Sequence, residues 1–182
     1  MPKISTYPVV GPSSNDLIAV TDVSDSNETK NVTVGSLSAT VYSGAYVEIY
    51  DDTSGPITNI ASANTFVLLG CEVTRGASND ATLANTVAGK VTNNNVSRTF
   101  MITYSVSASA SNNNNLMFRL AVNGNTIPYS ESDTIVTTGK ASSVSNSIIY
   151  TLGPLHYVEI YVANSSAQNV TLEHLNLILR QV

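Results

Sequence analysis

Two histidines, one cysteine and a few neighbouring acids are the natural places to look for catalytic or metal chemistry in this 182-residue chain. His156 and His174 fall in different strand-like segments, and neither has a Cys or acidic partner at metal-ligand spacing, so the pattern predicts no zinc site. His174 reads as a surface or hydrogen-bonded imidazole rather than a general base. Acids pair at Asp22 and Asp25 and at Asp51-Asp52. Glycoside hydrolysis needs two carboxylates facing each other across a cleft, and adjacent acids in a loop point apart. Asp51-Asp52-Thr53-Ser54-Gly55 therefore reads as a turn, with a weak calcium loop as the alternative. Cys71 follows the apolar run Phe66-Val67-Leu68-Leu69-Gly70, which predicts a buried, inert thiol. No nucleophile elbow, phosphate-cradling glycine loop or dinucleotide fingerprint occurs. The expectation is a protein without catalytic residues, metal or cofactor.

Composition points the same way. Charged residues make up 12% of the chain, against about a quarter in ordinary domains. Ser, Thr and Asn must therefore supply most of the polar surface. Neutral polar side chains cost little desolvation when one surface packs on another. A net charge of -5 and a pI near 4.8 argue against a nucleic-acid or anionic-membrane partner, because phosphate binding needs clustered Lys and Arg. No segment is long and apolar enough to span a bilayer. The start, Met1-Pro2-Lys3-Ile4-Ser5-Thr6-Tyr7-Pro8, lacks the apolar run of a secretory signal, so assembly in a cytoplasm is expected. A single cysteine leaves stability to packing and oligomerisation.

The elements that would position these residues are strands. In Phe100 to Ala108, Phe100, Ile102, Tyr104, Val106 and Ala108 share one side, and Met101, Thr103, Ser105 and Ser107 the other. That period of two is a strand with one buried face. Leu116, Phe118, Leu120 and Val122 repeat it before the Asn123-Gly124-Asn125 turn. Further strands are expected at Tyr46 to Tyr50, Thr65 to Cys71, Ala81 to Val91, Thr126 to Tyr129, Thr134 to Thr138, Ser143 to Leu152, Tyr157 to Ala163 and Asn169 to Gln181. In the last of these, Val170 and Leu172 have one parity while Leu175, Leu177 and Leu179 have the other, which predicts a β-bulge at Glu173-His174. Roughly eight to ten short strands with no helix-period segment predict an all-β antiparallel sandwich or barrel.

Residues 1–44 differ from the rest. Pro2, Pro8 and Pro12 deny the start a helix, and two short strands, Asp16 to Asp22 and Thr29 to Leu37, form a hairpin at most. A lone hairpin is marginal in water, so this segment needs another surface. Its apolar anchors are Ile4, Leu17, Ile18, Val20, Val32, Val34 and Leu37. In the body, residues 45–182, two Tyr-x-Glu-x-Tyr ladders stand out: Tyr46 and Tyr50, and Tyr157 and Tyr161. Tyr combines large apolar area with a hydroxyl for a partner. With Tyr104, these residues are the expected self-association surface.

Two resemblances bear on the reading. Phe100 to Ser107, Phe118-Arg119-Leu120-Ala121-Val122-Asn123-Gly124, Leu155 to Ser166 and Val170 to Arg180 resemble the tumour-necrosis-factor-like jelly roll. That resemblance implies a tight homotrimer of the kind that recurs in virion and spore-surface proteins. The chain departs from the family where a Gly-Asp often precedes the strand at 157; it has Gly153-Pro154-Leu155-His156 instead. The block from Pro2 through Asp16-Leu17-Ile18-Ala19-Val20 to Leu37 is similar to a leader of tailed-bacteriophage virion proteins. It implies docking on a major capsid protein or another virion protein. Together they imply a virion protein, a head fibre or decoration with an N-terminal anchor and a trimeric head. The alternative is a tail tip that reads host cell-surface glycan through Asn/Ser loops.

Overall fold

The computed structural model describes residues 17–22, 28–33, 44–53, 56–86, 88–111 and 113–182. The chain divides into two compact units, Met1–Ser43 and Gly44–Val182. In the first, β1 (Leu17–Asp22) pairs antiparallel with β2 (Glu28–Thr33), setting Leu17 opposite Thr33, Ile18 opposite Val32 and Val20 opposite Lys30. The expected anchors Ile4, Val34 and Leu37 lie outside the described residues.

The second unit is a two-layer antiparallel sandwich. Its strands are β3 (Tyr46–Asp51), β4 (Ile57–Thr58), β5 (Val67–Leu68), β6 (Thr74–Ser78), β7 (Leu83–Asn85) and β8 (Val91–Asn93). They continue with β9 (Arg98–Ala110), β10 (Asn114–Val122), β11 (Asn125–Thr126), β12 (Ser132–Val136), β13 (Ser142–Leu152), β14 (Tyr157–Asn164) and β15 (Val170–Gln181). One sheet runs β13-β9-β15-β3-β6, and the other holds β12, β10, β14, β8 and β7 in that order. Number the long or central strands β3, β8, β9, β10, β12, β13, β14 and β15 from one to eight. The sheets then read 6-3-8-1 and 5-4-7-2, so every connection but one crosses between layers. That winding is a jelly roll.

The alternation expected for β9 holds: Phe100, Ile102, Tyr104, Val106 and Ala108 are buried against Leu116, Phe118 and Leu120 of β10 and Leu175, Leu177 and Leu179 of β15. The expected bulge is present. The β15–β9 register shifts between Leu172 and His174, which lets Val170 and Leu172 and the later leucines all point inward. Three strand expectations need correction. Thr65 to Cys71 yields only β5, Ala81 to Val91 folds as the β7–β8 hairpin, and Thr126 to Tyr129 becomes β11 followed by a 3-10 turn at Pro128–Ser130.

Two local devices hold the edges of this core. Arg98, at the start of β9, donates to Asn93 Oδ1 at 2.6 Å and to Thr82 Oγ1 at 3.0 Å, and pairs with Asp80. Asn93, fully buried, in turn donates to the carbonyls of Val96 and Leu152. Gly89 closes the β7–β8 turn with φ +77°, and a Cβ there would overlap the Sγ of Cys71. Only glycine fits both the left-handed backbone and the contact.

Candidate functional site

The residues singled out for chemistry do not converge. His174 lies at the bulge on the outer face of one sheet, and His156 ends the turn that leads into β14 of the other. Asp51 is buried; its Oδ1 accepts from Thr53 N–H and its Oδ2 from Glu72 N–H at 2.8 Å. Its carboxylate closes the end of β3. Cys71 is buried too, and burial pushes its thiol up to about 12, with the charges of Asp51 and Glu159 adding to the effect. Among the described residues no group of three His, Cys, Asp or Glu side chains could hold a metal ion.

The five tyrosines of the expected interface part company. Tyr104 is a correction. It is fully buried inside the sandwich, where its hydroxyl donates to the carbonyls of Ser130 at 2.8 Å and Phe118 at 3.1 Å. Burial raises its phenol above the ordinary value. The two ladders sit on opposite sheets, so they do not make one flank: Tyr46 and Tyr50 lie on β3, Tyr157 and Tyr161 on β14.

The two outer faces differ in kind. On β10 and β14 the chain caps itself. Lys90 reaches from the β7–β8 hairpin, its Nζ 3.9 Å from the centre of the Tyr157 ring and 3.4 Å from Glu159 Oε1. Arg119 stacks 4.2 Å from the Phe66 ring centre while its Nε donates to Glu131 at 2.7 Å. Glu159, Ala121 and Ala163 are buried as a result of the surrounding packing. Burial, followed by the charges of Glu159 and Tyr157 and against the pull of Lys90, raises the Tyr161 phenol.

Among the described residues, the outer face of β13, β9, β15 and β3 is lined mainly by hydroxyls, with Glu48, Glu173, His174 and Arg180 as its ionisable groups, and is mostly uncapped. Register places Tyr46, Arg180, Met101 and Ile149 in one row across the sheet. Glu48, Ile178, Thr103 and Ser147 form the next row, and Tyr50, Asn176, Ser105 and Ser145 the third. Ile149 is 64% exposed, and Met101 and Tyr46 are each 37% exposed. Paired hydroxyls satisfy one another across the strands, Thr103 with Ser147 at 2.8 Å and Thr99 with Thr151 at 2.9 Å. Glu48 accepts from Asn176 Nδ2 at 2.7 Å. The paired hydroxyls lose little hydration on contact, and Ile149, Met101 and Ile178 supply apolar area to bury. The alternation that builds this face is visible in sequence; its apolar row is not, because Met101 and Ile149 sit singly among Ser and Thr.

The sandwich is shared with solved structures. Murine APRIL at pH 5.0 matches with a TM-score of 0.56 at 7% identity, over 77% of this chain and 100% of that one. The fold is a tumour-necrosis-factor-like jelly roll. The TNF-like body also matches Eiger TNF from S. frugiperda, with a TM-score of 0.55 at 12% identity, over 77% of this chain and 94% of that one. It matches the PRD1 vertex protein P5 with a TM-score of 0.52 at 13% identity, over 76% of this chain and 97% of that one. No protein-family model and no curated protein matches the chain.

Proposed function

We propose that this protein is a structural virion protein, a capsid head fibre or decoration whose TNF-like bodies associate as a homotrimer. The N-terminal unit is the anchor, and its partner is a major capsid protein or another virion protein. The observation that carries the trimer is the contrast between the outer faces: one sealed by its own Lys90 and Arg119 contacts, the other mainly hydroxyl-lined and presenting Tyr46, Met101 and Ile149. Copies pack through the second face, about a threefold axis. The virion assignment is supported by a fold shared with the PRD1 vertex protein P5, and by the N-terminal resemblance to phage leaders. Three linked copies would multiply a weak anchor contact by avidity.

Sedimentation of the purified chain tests the first half. A single species of three times the chain mass is expected, and a monomer at micromolar concentration would refute it. Particle binding tests the second half: the full chain should co-sediment with capsids, and a chain lacking residues 1–43 should not.

A further inference from the structure

Where the ends of β10, β13 and β14 meet, the jelly roll carries a groove of about 390 Å³ that the assembly reading does not use. Tyr129, Tyr150, His156, Asn123 and Asn125 line it, with no Lys, Arg, Asp or Glu among the lining residues. We infer that this groove binds a neutral pyranose sugar, with Tyr129 as the stacking platform and His156 and the asparagine amides as the hydrogen-bonding groups.

The walls are built to stay in place. Tyr129 is the middle residue of the 3-10 turn Pro128–Ser130 and is 65% exposed. Beneath it Ser130 is fully buried: its Oγ donates to Ile127 O at 2.7 Å and accepts from Leu120 N–H at 2.9 Å, and its carbonyl takes the Tyr104 hydroxyl. A large aromatic ring is thus held out to solvent by a turn locked from the core. The opposite wall is the turn at Gly153–His156. His156 Nδ1 accepts the Gly153 N–H at 3.2 Å, and the ring packs against the space a Cβ at Gly153 would take, 3.2 Å away. With Nδ1 occupied as an acceptor, the neutral imidazole carries its proton on Nε2, as a donor. The third wall is the Asn123-Gly124 turn, with φ +52° and +76°, the geometry of a tight two-residue hairpin. It fixes Asn123 and Asn125 at the rim.

The chemistry selects the ligand class. The electron-rich face of a tyrosine attracts the weakly positive C–H bonds on the apolar side of a pyranose ring. Amides and a single imidazole N–H match hydroxyls that both donate and accept. A charged ligand would lose hydration here with no counter-charge to replace it. The Gly153-Pro154-Leu155-His156 segment supplies the histidine.

Saturation-transfer NMR on the full chain, with methyl glucoside, galactoside, mannoside and N-acetylglucosaminide at tens of millimolar and sialic acid as the charged control, tests this. Transfer to the ring C–H protons of at least one neutral glycoside is expected, and none to sialic acid. Tyr129→Ala should weaken binding roughly tenfold with an unchanged unfolding midpoint, while Tyr129→Phe should retain it. His156→Asn, which keeps an acceptor for Gly153 N–H but loses the Nε2 donor, should weaken it several-fold. No transfer to any neutral glycoside, equal transfer to sialic acid, or full binding by Tyr129→Ala would overturn the inference. A monomer in sedimentation would sink the assembly reading and leave this result untouched.

Discussion

Single residues in this protein act chiefly as fasteners, and their failure modes are distinct. Gly89 combines a left-handed backbone with an approach to Cys71 that no side chain tolerates. Gly89→Ala should cost about 1–3 kcal/mol, read as a lower urea midpoint. Cys71, its thiol pushed up to about 12 by burial and by Asp51 and Glu159, should resist alkylation at pH 8 in the folded protein and react at once in denaturant; labelling of the native chain at the rate of a free thiol would contradict the burial. Asp80 is partly buried, which raises its carboxyl, but hydrogen bonds from Arg98 and Thr82 outweigh that and leave it below the ordinary value. A carboxyl depressed in the folded state stabilises above its unfolded value and loses that contribution as pH falls through the folded one. Stability should therefore decline on the acid side, and Asp80→Asn should be less stable near neutrality with a flatter acid limb. Arg98→Met strips Asn93 and Asp80 of their shared donor and should cost roughly 3 kcal/mol or more.

Elements differ in how plainly the sequence announces them. The period of two in β9, β10 and β15 is legible, because each strand is long enough to display it and one face is buried throughout. The bulge is legible for the same reason: one inserted residue reverses the parity of every leucine that follows it. Strands β4 to β8 are obscure, since two to five residues cannot establish a period. Tyr104 passes for a surface group although its parity sets it with Phe100 and Ile102; its partners, the Phe118 and Ser130 carbonyls, come from distant segments. The groove is illegible, because its walls come from three stretches, 122–129, Tyr150 and His156, that only the fold unites. The outer face of β13 offers the sharpest test at this scale. Ile149→Asp alters an exposed position, so the isolated subunit should lose no more than about 0.5 kcal/mol, yet the trimer should dissociate in sedimentation. An intact trimer would move the interface elsewhere.

At the scale of the whole molecule, the body has the long-range pairing expected of a slow-folding β protein, and it closes on itself. Gln181 N–H donates to Ala45 O at 2.8 Å, Ala45 N–H donates to Gln181 Oε1 at 3.2 Å, and Val182 N–H reaches Thr99 O at 3.1 Å. Gly44–Val182 produced without the first unit should therefore fold and show a cooperative thermal transition; a broad, non-cooperative melt would show that the two units depend on each other. The adjacency of Ala45 and Gln181 also means that the order in which the body is read off the ribosome is not what defines it. Splicing the two ends with a short Gly/Ser bridge and opening the chain at Gly139, where nothing lies within 4 Å of a Cβ, should yield a circular permutant with the same architecture.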